Sequence, residues 1–323
     1  MKNSKSLIGI IVIAILTIVL IENPLSNQYL TKLKHGTIYI YADQNDLFNQ
    51  IELAAKEYSI KPQDAKVDNI WKAIPGYNGL KVDTKASYDN MKKDKKFDKN
   101  KLIFTQIRPK VHLEDLPPSP IYKGNPEKPM VSFLINVAWG NEYLPKMLET
   151  LKKYDIHATF FLEGRWTQNN PELAKMIVED GNEVGNHSYS HPDMKSLTSA
   201  RIREELIKTN QVIQATTGKH VKWFAPPSGS YRDEVVDIAD SLGMGTVMWS
   251  VDTIDWQKPS SSTIINRVMT KVHPGALILM HPTESTANAL EQLIIQIKKK
   301  QYRIGTVSKL VDEERIIRKA QTP

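Results

Sequence analysis

The chain of 323 residues contains no cysteine. That excludes disulfides, a disulfide-linked partner, thiolate metal sites and a thiol nucleophile. No glycine-rich phosphate loop follows the first long strand-like run, residues 131–137, which weakens a dinucleotide-binding reading. Charge of one sign is only mildly in excess. The net charge is +7, and +5 of it falls in residues 31–129. No pattern of bases and aromatics accompanies that excess, so nucleic acid is not expected as a partner. A solvated lysine-rich face accounts for it, and attraction to an anionic membrane or wall polymer is the milder alternative.

Long apolar runs are scarce as well. Residues 7–21 form a stretch of fifteen residues without a charge, preceded by Lys2 and Lys5. This is short for a spanning helix of about 20 residues but adequate for the core of an export signal. The lysines keep the N-terminus in the cytoplasm. No small-x-small cleavage site follows at Glu22-Asn23-Pro24-Leu25. Residues 1–30 are therefore read as an uncleaved signal anchor, with a cleaved signal peptide as the alternative. Either places the rest of the chain outside the cytoplasmic membrane, anchored to it or secreted.

Residues 31–115 read as a small basic α+β domain. Residues 37–41 alternate like a strand, and 46–58 have helical spacing. Residues 69–73 suggest a helical turn stopped by Pro75-Gly76. Residues 88–96 suggest a lysine-rich surface helix, and 102–104 a strand. No catalytic pattern occurs here. Residues 116–129 hold Pro117, Pro118, Pro120, Pro126 and Pro129 and read as a stiff linker.

From residue 130 to 323 the texture changes. Short apolar runs at 131–137, 158–162, 183–185, 223–225, 246–249 and 276–280 alternate with helical stretches at 143–153, 171–179, 200–216, 233–242, 262–272 and 287–298. Strand–helix alternation of this length implies an α/β fold with a parallel sheet, open or closed into a barrel. Polar residues fall just after the runs: Asn136, His187 and His191, Pro226 to Gly229, Asp252 and Asp255, and His281. In a parallel barrel all strand ends open on one face, so these residues converge on one mouth.

Two imidazoles four residues apart, His187 and His191 in Gly185-Asn186-His187-Ser188-Tyr189-Ser190-His191-Pro192, can aim at one point. Taken alone, such a pair is more often two satisfied histidines than a metal site. The other strand-end residues change that balance. Trp139, Tyr189, Tyr231 and Trp256 also follow strand ends, where a sugar ring could stack. Trp223 and Trp249 fall within runs and read as core.

This constellation resembles the polysaccharide deacetylase family, also called carbohydrate esterase family four, over about residues 129–310. The histidine stretch fits the family's metal-binding motif. Asp252-Thr253-Ile254-Asp255-Trp256 fits its D-x-x-D-W motif, Leu279-Met280-His281 its closing L-x-H, and Pro227-Ser228-Gly229-Ser230-Tyr231 most of its third motif. The resemblance implies a distorted parallel (β/α) barrel with fewer than eight strand–helix units. It implies metal-assisted hydrolysis of N-acetyl groups, a non-peptide carbon–nitrogen bond, on a glycan such as peptidoglycan or chitin. His187 and His191 would hold a divalent ion, usually zinc. His281 would be the acid and Asp255 its orienting partner. Trp139, Pro227, Ser228, Gly229, Tyr231, Trp256 and Leu279 would line the substrate groove.

The first motif departs from the family. Where the family has the base aspartate, this chain has Asn136. Where it has the aspartate that binds metal, this chain has Val137. The arginine that pairs with the base is replaced by Ala225. An amide does not accept a proton near neutral pH, and loss of a general base costs roughly 10²–10⁴ in rate. Two imidazoles are one short of the three protein ligands of a catalytic zinc site, so the ion would be held weakly or not at all. Glu142, Asp193 and Asp252 are the carboxylates available to substitute. The alternative to a deacetylase is therefore a silenced homologue that binds glycan, or supports another wall protein, without turnover.

Overall fold

A computed structural model describes residues 44–317. The 1–30 segment and the strand expected at 37–41 lie outside the described residues. Among the described residues, no helix is long and apolar enough to cross a membrane.

The described residues form two compact units: residues 44–58 with 82–103, and residues 59–81 with 104–317. The first unit pairs two helices, α1 (Gln44–Tyr58) and α2 (Thr84–Met91). Ile51 and Met91 are fully buried, and Phe48 meets Tyr88 edge-on at 5.8 Å. Helix α2 starts earlier than the lysine pattern suggests because Asp83 caps it, accepting from Ala86 N at 2.9 Å. The strand expected at 102–104 is displaced for a similar reason. A capped turn at Lys99–Lys101 carries Leu102, and the strand begins at Phe104.

The second unit opens with β1 (Lys66–Asp68) and β2 (Lys72–Ile74), paired antiparallel. This corrects the helical turn expected at 69–73. Asp68 Oδ1 accepts from Ile70 N at 2.9 Å and Trp71 N at 2.8 Å, and the bent chain returns as a strand. Strand β3 (Gly79–Val82) pairs with β4 (Phe104–Ile107).

The main sheet is parallel. Its strands are β5 (Met130–Val137), β6 (Thr159–Leu162), β7 (Glu183–Asn186), β8 (Trp223–Phe224), β9 (Gly245–Thr246), β10 (Val251–Asp252), β11 (Leu277–Met280) and β12 (Arg303–Gly305). The order is β10-β11-β5-β6-β7-β8-β9, and β12 pairs with the start of β5. β9 and β10 do not pair, so the sheet curls into a distorted, incompletely closed barrel, as the resemblance implies.

Strand β5 is buried along its whole length, as befits a strand covered on both faces. Alternation splits its side chains. Val131, Phe133, Ile135 and Val137 pack outward against helices α3 (Leu144–Lys153) and α9 (Glu284–Lys299), through Leu144, Met147, Leu290 and Ile294. Met130 and Leu134 pack inward with Phe161, Ala225, Val247 and Leu277. Each fully buried aliphatic side chain contributes about 1.5–3 kcal/mol. The remaining helices are α4 (Gly164–Asn169), α5 (Pro171–Glu179), α6 (Ser199–Thr217), α7 (Asp233–Ser241), α8 (Ser261–Lys271) and α10 (Val307–Val311).

Residues 116–129 are tied to this sheet. Ile121 N donates to Thr246 O at 2.9 Å, and Met248 N donates to Ile121 O at 2.8 Å. Asn125 and Lys128 are buried, and Lys128 Nζ donates to the carbonyls of Lys309 and Asp312.

Candidate functional site

The C-terminal ends of β5, β7, β10 and β11 deliver polar side chains to one cavity of about 440 Å³. Asn136, Trp139, His187, His191, Ser228, Trp256, Leu279 and His281 all line it. The two histidine rings lie 5.0 Å apart, centre to centre, at 70°. Trp139 stacks on His281 at 5.9 Å with an interplanar angle of 8°.

The histidine loop is held from behind. Glu205, on α6, is buried and accepts from Tyr189 N, Ser190 N and Ser190 Oγ, each at 2.8 Å. Asn186 Oδ1 accepts from Ser188 N at 2.8 Å, and its Nδ2 donates to Leu206 O at 2.9 Å. Gly164 lets α4 approach the same loop. Its N–H donates to Ser188 O at 2.9 Å, and a Cβ there would fall 2.6 Å from the Tyr189 ring. Ser188, His191, Ser228 and Ile254 all take left-handed backbone conformations. Non-glycine residues rarely do, and their clustering around one cavity marks a site where the fold stores strain.

His187 is buried, and its Nδ1–H donates to the Ala225 carbonyl at 2.8 Å. That fixes the tautomer and leaves Nε2 as a bare lone pair, the state a metal ligand needs. Burial, reinforced by the neighbouring His191, pushes its pKa down to about 3, against the opposing pull of the Ala225 carbonyl. His191 sits at the exposed rim. Desolvation of its pocket side and the nearby His281 also lower its pKa.

His281 is anchored to Asp255, which is fully buried behind it. Nδ1 donates to Oδ1 at 2.8 Å, and Thr286 Oγ1 donates to Oδ2 at 2.6 Å. Asp255 does not line the cavity itself; it acts through His281.

The first-motif departures have structural counterparts. Asn136 is 4% exposed, and its Oδ1 is buried without a hydrogen-bond partner. Val137 is fully buried in the outer core with Leu144 and Trp166. Ala225 points into the inner core. Asp252 lines the cavity but its carboxylate accepts from Ile254 N at 2.7 Å. Asp193 accepts from Ser230 Oγ, and Glu142 lines a neighbouring cavity. Among the described residues, no group of three His, Cys, Asp or Glu side chains is arranged to hold a metal ion. Two neutral imidazoles beside an amide do not fit a catalytic zinc site with three protein ligands.

Other groove residues divide. Ser228 lines the cavity from a short turn, Pro227–Gly229, and Gly229 packs under Trp249. Tyr231 is turned away; its hydroxyl meets that of Tyr122 at 2.8 Å. Burial and the Tyr231 hydroxyl push the Tyr122 pKa up. Tyr189 also points elsewhere, donating from its hydroxyl to Gln168 with Lys208 over its ring. Trp249, read as core, lines the cavity instead because β9 ends before it. Sequence reasoning missed Glu205 and Thr286. Both carry the residue type of an ordinary helix surface, and only the fold turns them inward.

Residues 123–247 match a family model described as polysaccharide deacetylase. The chain is 56% identical over 299 residues to the uncharacterized protein YlxY of Bacillus subtilis (strain 168), covering 93% of this chain and 94% of that one. It is 31% identical over 198 residues to the peptidoglycan-N-acetylmuramic acid deacetylase PdaA of the same organism, covering 60% of this chain and 75% of that one. Among solved structures it is similar to a CE4 family pseudoenzyme from Bacillus anthracis, with 58% identity and a TM-score of 0.80, covering 84% of this chain and 96% of that one. The chain belongs to the polysaccharide deacetylase family.

Proposed function

We propose that this chain is a glycan-binding member of its family that does not hydrolyse the acetamido group it receives, and that it works at the cell wall outside the cytoplasmic membrane. The observation that carries the reading is Asn136. An amide with a buried, partnerless Oδ1 stands on the strand end where the family places its anionic base. The neighbouring Val137 lies in the outer core rather than beside the imidazoles.

The groups that would recognise a sugar persist. Leu279 gives an apolar contact, and Trp139 and Trp256 give flat aromatic faces. His281, held by Asp255, offers a positioned hydrogen-bonding nitrogen. A divalent ion, if it bound, would polarise the acetamide carbonyl. The imidazole pair alone would hold it weakly. The lysines and uncharged run at residues 2–21 support export or anchoring.

The test uses full-length protein in mild detergent with zinc supplied. Acetate release is measured on N-acetylglucosamine oligomers and on peptidoglycan, and binding to the same glycans in parallel. Binding without acetate release is expected. Acetate release abolished by chelator and by His187→Ala would overturn the proposal in favour of a working deacetylase with a rearranged site.

A further inference from the structure

A further cavity lies at the other end of the barrel. Arg303 of β12 pairs in register with Met130 at the start of β5, and both line a space of about 400 Å³. The histidine cavity opens at the opposite, C-terminal ends of the strands. Four cations, Lys128, Arg303, Lys309 and Arg315, line the further cavity against two carboxylates, Asp312 and Glu314. The lining therefore carries an excess of two positive charges. None of the motifs that carry the family resemblance contributes to it.

The four cations are not equally committed. Lys128 Nζ donates to Lys309 O at 2.7 Å and to Asp312 O and Oδ1 at 2.6 Å each, so its three donors are used. Lys309 Nζ lies 3.8 Å from Asp312 Oδ2, beyond hydrogen-bond reach. Arg303 is exposed, and its guanidinium has no hydrogen-bond or ion-pair partner among the described residues. Arg315 is only 7% exposed. Its Nε donates to Asn78 O, and its guanidinium lies over the Tyr77 ring at 4.0 Å. Those contacts pin the side chain but use one of its five N–H donors. Nη2 is buried without a hydrogen bond, and Glu127 Oε2 stands 3.6 Å away. A guanidinium that only braced the fold would be more fully paired. Bracing would also not account for a second, free guanidinium lining the same space.

We infer that this cavity binds a phosphate group, as the free ion or as a small monoester. Guanidinium forks from β12 and from the segment after α10 offer more donors than the two oxygens of a carboxylate use. Phosphate accepts bidentate arginine bonds on more than one edge. Its charge near neutral pH, about −1.5 to −2, matches the excess on the lining. Met130 and Ile316 add an apolar wall against which the carbon portion of an ester packs. Glu314, exposed and without a side-chain partner among the described residues, is the carboxylate that competes with the ligand. The inference is independent of the glycan-binding reading of the histidine cavity.

The experiment titrates full-length protein in mild detergent with inorganic phosphate, glycerol 3-phosphate and acetate, by calorimetry at constant ionic strength. Both phosphates are expected to bind at least about tenfold more tightly than acetate. Arg303→Gln, at an exposed position that the fold does not need, is expected to weaken phosphate by about tenfold or more. Arg315→Lys keeps the charge but loses the fork and should weaken it comparably. Glu314→Gln should strengthen binding several-fold, because it removes the competing anion. Tighter binding of the ester than of the free ion identifies a monoester as the ligand, and the reverse identifies phosphate itself; either supports the site. No phosphate binding at millimolar concentration, equal affinity for acetate, or an affinity untouched by Arg303→Gln would overturn it.

Discussion

One carboxylate fixes His281 at two points: Asp255 Oδ1 accepts from its Nδ1 at 2.8 Å, and Oδ2 accepts from its backbone N–H at 2.6 Å. Thr286 adds a third bond to the same buried group. Asparagine in place of Asp255 would turn an NH₂ group toward one of these three donors. Asp255→Asn is expected to lower stability by about 1–3 kcal/mol, because neutral hydrogen bonds replace the bonds to a buried carboxylate. It is also expected to move the His281 proton from Nδ1 to Nε2. Urea unfolding reads the first effect and nitrogen NMR of the imidazole the second. An unchanged tautomer would show that the carboxylate does not orient the ring.

Glu205 does comparable work for the other two histidines. It is 1% exposed, takes two backbone N–H groups of the histidine loop, and is itself paired with Arg201 at 2.8 Å. Glu205→Ala leaves Tyr189 N and Ser190 N without acceptors, and about 2–4 kcal/mol of stability should go with them. Glu205→Gln keeps one acceptor oxygen and should lose less. If the loop is held chiefly by this residue, the His187 and His191 resonances shift in both variants, while those of His281 stay. Uniform shifts across all three rings would instead mean a general loosening of the barrel.

The contrast between these two anchors explains what could be read from the chain. Asp255 belongs to a recognisable motif, whereas Glu205 follows Arg201 and Glu204 on a long helix and looks like one more solvated charge. The same holds for elements. Residues 131–137 form an unbroken apolar run that only a buried strand satisfies. Val251–Asp252 and Arg303–Gly305 are too short for any period to register, yet the sheet uses both. Helix α4 went unread because Gly164, Arg165 and Thr167 show no apolar face; it exists because Glu163 caps it, accepting from Trp166 N at 2.6 Å. The hairpin of β1 and β2 was misread because Asp68 bends the chain by side-chain bonds that spacing does not reveal. Asn136, His187, His191 and His281 were legible and share one cavity. That Val137 packs into the outer core was visible only in the fold.

Val137 carries the most informative substitution. It is fully buried among apolar neighbours and closed to water, one residue before the strand gives way to Ala138 at the cavity. A carboxylate there has no partner, so Val137→Asp in the presence of chelator should cost about 2–4 kcal/mol. Zinc offers it a way out. Rotation of the last strand residue toward the cavity would add an anion to His187 and His191 and complete a three-ligand site. Binding to the folded state then restores stability in proportion to zinc above its Kd. The expected result is an unfolding midpoint for Val137→Asp that rises with zinc while the parent barely responds, and a rise that disappears when His187→Ala is added. A midpoint indifferent to zinc would show that the end of β5 cannot bring an anion to the imidazoles, so that residue type alone does not decide whether they hold an ion.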